Sequence, residues 1–391
     1  MSIIDINKYR ENGSSKNKII IGIVVAVIIS IAISICAYIK VGAFREWVDM
    51  YILRKNIENV DIAYIDINSS NNPSIYAFDK YITVLEKNIL SMYNSSGNKT
   101  EEIEISVSNP IYSSNNKYLC IAENKGNKIY LVSGGNLLWQ ASVEGTIEKI
   151  SVNKNGYVSV VEKGTSYKNI VVIFNSEGKE LFKTYLSSSI AIATDISGNN
   201  QYLAIAEIDT TGAIVQSNIK IISIEKAKSD PTNSVEHSIA GNAGELITHI
   251  KYQDKEKLIC IYDNSIHLIE NGKDSEIMKL ENKIIMADIR NKNNIAYVME
   301  RSNNIFSTSR DVVIKNIQNN NEIRYEVDGT IKSLQVYDSN IVINLGTEAE
   351  FINTLGWLQK KYKSNQEIAN IVLGSSIAGI VYRDKVEIVN L

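Results

Sequence analysis

The stretch "YVSVVEKGTSYKNIVVIFNSEGKELFKTYL", Tyr157–Leu186, contains the pattern that decides the fold. Runs rich in β-branched and aromatic residues alternate with polar turns, and the turn Asn175–Lys179 includes a glycine. A Gly-containing turn between two apolar runs is typical of a β-hairpin. Similar hairpins begin at Ile89, Ile129 and Ile266, so the chain repeats the same small unit.

The run "YVSVVE" that opens this stretch is the clearest marker of the repeat. Related runs read YITVLE, YLCIAE, YLAIAE, LICIYD, IAYVME, IVINLG and IAGIVY; they begin at Tyr81, Tyr118, Tyr202, Leu258, Ile295, Ile341 and Ile377. Most copies start about 40 residues apart, the spacing of four-stranded propeller blades. Radial stacking of such sheets buries both apolar faces and leaves short edges.

The repeat therefore predicts an all-β fold, a β-propeller with eight blades, or seven if one weak copy is an elaboration. The WD dipeptide of one propeller class is absent, and the hairpins are of an Asn/Gly type. The last unit supplies three strands before Leu391, while Asn59–Ile67 is a spare strand ahead of the first unit. We predict that this spare strand completes the last blade. The segment Glu225–Glu245, which contains Pro231, is predicted to be an extended loop.

One segment predicts a membrane location. Residues 19–39 form an uncharged run of 21 residues. At a helical rise of about 1.5 Å per residue, this run matches the hydrocarbon core of a bilayer. A signal peptide usually has a shorter apolar core and an A-x-A-like site, which is missing here. The predicted organisation is a cytoplasmic tail (1–18), a transmembrane helix (19–39), a juxtamembrane helical linker (40–58) and the propeller (59–391).

The orientation of the span depends on the charges beside it. Four Lys or Arg residues precede the span and four follow it closely, so the positive-inside count is balanced. Lys16 and Lys18 lie directly against the membrane, which favours a cytoplasmic tail and an extracytoplasmic propeller. In the linker, Phe44, Trp47 and Tyr51 belong to an apolar stripe. This stripe either packs against the propeller or lies at the lipid headgroups.

Composition and motifs argue against most kinds of chemistry. The net charge of −3 gives no basic field for nucleic acid. The three histidines lack metal-ligand spacing, and no P-loop, G-x-S-x-G or paired C-x-x-C motif is present. Cys120 and Cys260 lie inside strand-like runs, which predicts buried, inert thiols. We predict no cofactor, no metal and no catalytic residue.

A set of acids gives the one candidate binding site. Six marker strands end in an acid at the same position: Glu86, Glu123, Glu162, Glu207, Asp263 and Glu300. In a propeller, these carboxylates would form a ring near one rim and attract a cation or a basic partner. The alternative is that each acid simply caps or solvates the end of its strand.

Several short motifs resemble those of a clostridial family of single-pass membrane proteins, domain of unknown function 5711. They are the stretches "NPIYSSNNKYLCIAE", "VNKNGYVSVV" and "FNSEGKELFKTYL", and the resemblance covers nearly the whole chain. It implies a membrane-anchored, propeller-like extracytoplasmic region and brings no activity or site residue. The function we expect is binding or scaffolding of a protein or cell-envelope partner. The alternative is a propeller hydrolase or lyase with a carboxylate-based site.

Overall fold

The computed structural model describes residues 6–53, 55–57, 62–212, 214–253, 255–280, 284–291, 293–300, 310–327 and 329–391. The chain forms two compact units, Met1–Ile57 and Glu58–Leu391. In the first unit, helix α1 (Ile6–Lys40) is followed by α2 (Gly42–Trp47), a π-helical turn (Val48–Ile52) and the short strand β1 (Asn56–Ile57). Within α1, Ile20–Lys40 is long and apolar enough to cross a membrane.

Three polar side chains fold the first unit back on the end of α1. The Tyr38 hydroxyl donates to Asp49 Oδ1 at 2.6 Å, and Lys55 Nζ lies 2.8 Å from the same oxygen. Lys55 also donates to the Tyr38 hydroxyl at 3.1 Å. Asp49 is 5% exposed, so solvent screens its ion pair with Lys55 only weakly.

The second unit consists of eight antiparallel sheets, which are the eight predicted blades. The strands of blades 1 to 4 are β3 Ser74–Phe78, β4 Tyr81–Glu86, β5 Ile89–Tyr93, β6 Lys99–Glu104; β7 Pro110–Asn115, β8 Tyr118–Glu123, β9 Lys128–Ser133, β10 Asn136–Ser142; β11 Thr146–Val152, β12 Val158–Lys163, β13 Asn169–Phe174, β14 Glu180–Leu186; and β15 Ser189–Ile196, β16 Tyr202–Asp209, β17 Gln216–Ser223, β18 Val235–Ala240.

The strands of blades 5 to 7 are β19 Ile247–Tyr252, β20 Lys257–Tyr262, β21 Ser265–Glu270, β22 Lys273–Lys279; β23 Met286–Asp288, β24 Asn294–Glu300, β25 Arg310–Asn316, β26 Glu322–Val327; and β27 Ser333–Tyr337, β28 Asn340–Asn344, β29 Glu348–Asn353, β30 Leu358–Lys363. Blade 8 has β31 Asn370–Leu373, β32 Ile377–Val381, β33 Lys385–Asn390 and, from the other end of the chain, β2 Tyr64–Asp66.

The closure of the ring agrees with the sequence prediction. Strand β2 pairs antiparallel with β33, so that Tyr64 lies opposite Glu387 and Asp66 opposite Lys385. Residues 59–61 of the predicted spare strand lie outside the described part of the chain. The eight marker runs are the second strands of the eight blades, and the quoted hairpins are third and fourth strands.

Apolar side chains fill the spaces between blades. One cluster joins Cys120 and Leu131 of blade 2 to Val160 and Phe174 of blade 3. Another joins Ile82 of blade 1 to residues of blade 8, and so buries the closing contact in the same way as the others. Each sheet thus hides two apolar faces, which is why the second strands are buried along most of their length.

The turn of the quoted hairpin explains its glycine. Gly178 has φ +80°, and a Cβ there would lie 2.7 Å from the Trp139 ring of blade 2. The indole of Trp139 donates to the carbonyl of Ser176 at 3.1 Å. The position therefore requires a residue that accepts left-handed backbone and leaves room for the ring.

The prediction of an extended loop at Glu225–Glu245 was wrong. This segment contains helix α3 (Ile224–Ser229) and the outer strand β18. The Ser223 side chain caps α3 by accepting from the N–H of Lys226. The buried Ile224 and Ala227 attach the helix to the core. The sequence lacks a long periodic run here because one helical turn buries just two residues.

Candidate functional site

The predicted acids accept hydrogen bonds from residues at the start of their own blades. Glu123 accepts from the Ser108 hydroxyl at 2.7 Å and from its N–H at 3.2 Å, which holds the pKa of Glu123 below its usual value. Glu162 accepts from the N–H of Gly145 at 2.8 Å. In each case the donor lies just ahead of the first strand of the same blade.

The remaining described acids accept from the first residue of their blade's first strand or from the loop before it. The Ser189 hydroxyl donates to Glu207 at 2.7 Å. The N–H of Leu246 donates to Asp263 at 3.3 Å. Glu86 accepts from an amide that also precedes its blade's first strand, that of Asn71. The side chain of Glu300, the sixth acid, lies outside the described part of the structure.

Burial separates these acids into two kinds. Glu162 and Glu207 are buried, and Glu207 also pairs with Lys220 at 2.8 Å. Glu86, Glu123 and Asp263 are partly exposed at the rim. The loop contacts account for an acid at this position in five blades. That the partly exposed acids together attract a cation or a basic partner remains a prediction.

At the opposite end of the blades, a cavity of about 320 Å³ occupies the mouth of the central channel. It is lined by the ends of the first strands and the following turns of blades 2 to 7. Its size is within the range of small-molecule pockets. No local pattern in the sequence predicts this cavity, because its residues lie far apart in the chain and belong to polar turns without a distinctive motif.

Asp195 on β15 organises one side of this cavity. Its carboxylate accepts from the N–H of Tyr252 at 2.7 Å and from Lys251 Nζ at 2.9 Å, both in blade 5. The Ser151 hydroxyl of blade 3 donates to the same group at 3.2 Å. One buried acid thereby joins three consecutive blades.

Asp288 on β23 repeats this arrangement. It accepts from the N–H of Val336 in blade 7 at 2.9 Å. The guanidinium of Arg290 donates to the same carboxylate from Nε at 2.9 Å and from Nη2 at 2.5 Å. Partial burial opposes the charge of Arg290, but Asp288 more than offsets this and raises the pKa of Arg290. Arg290 lines the cavity as a fixed cation that is already neutralised.

Lys154 is a cation of a different kind. In the same turn of blades 1 and 2, Lys80 and Lys117 lie over the rings of Tyr81 and Tyr118, at 5.6 and 5.3 Å from the ring centres. Lys154, in blade 3, instead lines the cavity, and the end of its side chain packs against Gly198 of blade 4. Nζ of Lys154 lies 3.0 Å from where a Cβ of residue 198 would be.

Tyr337 and Asp338 line the cavity from blade 7. Burial raises the pKa of Tyr337 to about 12, and the nearby carboxylates of Asp338 and Asp79 act in the same direction. The phenol therefore stays neutral and can donate a hydrogen bond. Asp338 is exposed and has φ +49°, a turn conformation that Asp and Asn tolerate well.

A Ser–His–Asp chain lies in blade 5, away from the cavity. His267 Nε2 is 3.1 Å from the Ser265 hydroxyl, and Nδ1 is 3.0 Å from Asp274. The spacing is that of a hydrolase triad, but Ser265 is completely buried. A substrate carbonyl cannot reach its Oγ, so this cluster is a structural link.

The next features are the two thiols of the propeller and the grouping of metal-ligand residue types. Cys120 and Cys260 are buried, as predicted, and burial raises the pKa of both thiols so that they stay protonated. Among the described residues, no three His, Cys, Asp or Glu side chains are grouped to hold a metal ion.

A family model matches residues 54–391. The chain belongs to DUF5711, a family of unknown function. The resemblance found in the sequence is thus confirmed at the level of the family, which assigns no activity or site. No curated protein matches the chain.

Solved propellers are similar in fold alone. The C-terminal WD40 domain of Sif2 superposes with a TM-score of 0.58 at 12% identity, covering 84% of this chain and 98% of that one. Sqt1 from Chaetomium thermophilum gives 0.56 at 11% identity, covering 85% and 99%. At such identity the likeness shows a WD40-like propeller and no ligand.

Proposed function

We propose that this protein is a single-pass, membrane-anchored binding module whose propeller lies outside the cytoplasm and engages a partner protein of the cell envelope. One observation carries the proposal: the rim at the ends of the second strands combines exposed apolar side chains with partly exposed acids. Tyr167 and Tyr185 lie there, with ring centres 4.8 Å apart, and Tyr185 is 51% exposed. Exposed apolar groups beside charges are typical of protein interfaces.

The rim extends from blade 3 over blades 4 and 5. Ile190 and Leu246 are each 40% exposed, and Ile214 is 63% exposed. Ile190 lies at the start of the first strand β15, Leu246 directly precedes the first strand β19, and Ile214 lies between β16 and β17; all three are at the same end as the acids. We infer a partner that presents apolar and basic groups. A cell-wall polymer would instead need polar hydroxyl and amide contacts.

The anchor is proposed from the apolar helix. None of the residues of its apolar window within Ile20–Lys40 is buried inside the protein, which favours lipid as the environment of the helix. Trp47 and Ile52, both at least half exposed, are proposed to lie at the lipid headgroups.

Thiol labelling tests the topology. The native thiols are either in the apolar helix or buried, so a new exposed cysteine reports its own side. We expect a membrane-impermeant maleimide to label Ser95→Cys, in an exposed turn of blade 1, but not Ser14→Cys on intact cells. The reverse pattern contradicts the proposed orientation.

Proximity labelling from the carboxyl terminus in living cells tests the partner. We expect Tyr167→Ser with Tyr185→Ser to lose the neighbours that the unaltered protein captures. The matched control is Leu137→Ser with Leu138→Ser, which are exposed on the opposite rim. Glu86→Gln, Glu123→Gln and Asp263→Asn together test the acids, and unchanged capture would remove them from the interface. Cell-wall material in place of a protein would overturn the proposed partner class.

A further inference from the structure

Five charged residues line the cavity at the channel mouth, and three of them have an ion-pair partner. Asp195 is paired with Lys251 at 2.9 Å, and Arg290 with Asp288 at 2.5 Å. Asp195 and Asp288 also each accept a backbone N–H of the next blade, so these charges are committed to the fold. In contrast, neither Lys154 nor Asp338 forms an ion pair with any residue that the structure describes.

The two uncommitted charges lie on opposite sides of the cavity. Lys154 belongs to the first turn of blade 3 and Asp338 to the equivalent turn of blade 7. In a closed ring of eight blades, blades 3 and 7 are diametrically opposed. The cavity between them therefore has a positive side and a negative side, separated by the width of the channel.

The rest of the lining is polar and directional. Asn115, Asn116 and Gln253 supply amides, and the neutral phenol of Tyr337 supplies a hydroxyl beside Asp338. Polar groups that converge on a preformed cavity fix the orientation of a bound molecule. A volume of about 320 Å³ is sufficient for a molecule of one to three amino-acid residues and too small for a folded partner.

We propose that this cavity binds a zwitterionic ligand, an amino acid or a short peptide, with its carboxylate at Lys154 and its ammonium at Asp338. The site is at the opposite end of the propeller from the rim assigned to a partner protein, and it does not depend on that partner. A purely anionic ligand would leave Asp338 opposed to it. A neutral sugar would leave both charges without a partner.

Calorimetry on the full-length protein in detergent micelles tests this assignment with three probes. They are alanylalanine, its N-acetyl form, which lacks the ammonium, and its C-terminal amide, which lacks the carboxylate. We expect alanylalanine to bind about tenfold more tightly than either blocked form, since charge-assisted hydrogen bonds are the strong ones. No binding, or equal binding of the three probes, overturns the proposal.

Two variants assign the ends of the ligand. Lys154→Gln is expected to abolish the preference for alanylalanine over its amide and to keep the preference over the N-acetyl form. Asp338→Asn, which preserves a turn residue suited to positive φ, is expected to do the opposite. A preference that survives in both variants contradicts the assignment.

Controls separate these effects from folding. Lys179 is exposed in an outer turn of blade 3 at the same end of the propeller, so Lys179→Gln should bind all probes as the unaltered protein does. Lys154→Arg should retain the preference over the amide. If the rim variants still captured the partner, the proposed interface would be wrong but the preference for alanylalanine would be unaffected. The two proposals can therefore fail separately.

Discussion

The carboxylate of Asp195 accepts the backbone N–H of Tyr252 in the next blade at 2.7 Å. The equivalent acid two blades later, Asp288, accepts the N–H of Val336 at 2.9 Å. In both cases a side chain on the innermost strand replaces a backbone partner that no strand can provide between blades. These acids are therefore expected to matter more for closure of the ring than any surface ion pair.

Removing Asp195 should strongly destabilise the propeller. Asp195→Ala leaves Lys251 and the Tyr252 N–H without their acceptor, and breaking a buried pair of this kind typically costs about 3–5 kcal/mol. Urea unfolding followed by far-ultraviolet circular dichroism measures the loss. Glu102→Ala removes the exposed pair with Lys99 and should leave the midpoint unchanged. Equal effects of the two variants would contradict a special role for Asp195.

A disulfide across the closing strands should stabilise the ring. Asp66 and Lys385 lie directly opposite each other on β2 and β33. Cysteines at both positions would close a loop that includes all eight blades, and the chain-entropy model gives about 6 kcal/mol for a loop of about 320 residues. The oxidised double variant should unfold at higher urea than the same protein reduced. Asp66→Cys alone should show no dependence on the reductant, and a double variant that behaves likewise would argue against this pairing.

His267 should make stability depend on pH. Burial disfavours its charge, but the hydrogen bond and charge of Asp274, together with Glu276 and Glu245, raise the pKa of His267 above 6.5. A raised pKa in the folded state gives stability that is present below pH 6.5 and is lost as pH rises through the folded value. The difference in unfolding free energy between the unaltered protein and His267→Gln should shrink over that interval.

Asp274→Asn is the control for this pH effect. It removes the nearest carboxylate, at 3.0 Å from Nδ1, and should flatten the pH dependence. A dependence that is unchanged in Asp274→Asn would assign the effect to another group.

Gly178→Ala should be costlier than a turn glycine usually is. The new methyl group would meet the Trp139 ring at 2.7 Å while the backbone stays at φ +80°. Gly134 also has positive φ, +55°, but no atom lies within 4 Å of its Cβ position. Gly134→Ala therefore reports the backbone cost, about 1 kcal/mol, and overpacking at Gly178 should add about 1–3 kcal/mol. Urea midpoints compare the two, and equal losses would mean that Trp139 moves freely.

The repeated marker strands were sufficient to predict the architecture. Each of the eight runs is a second strand, buried on both faces, and continuous apolar runs of this kind are visible in the sequence. The spare strand that closes the ring was predicted for the same reason: an incomplete last unit leaves an apolar sheet edge that requires a partner. The acids at the strand ends were predicted by position, but not the loops that they fasten.

Local pattern determined the strands, the blade count and the apolar helix, because each depends on residues that are close together in the chain. Tertiary structure alone decided the rest. Lys154 and Asp338 are 184 positions apart and become neighbours of one cavity because a ring of eight blades brings their turns to the same channel mouth. The contact of Lys154 with Gly198 joins the turns of two blades, which no local pattern contains.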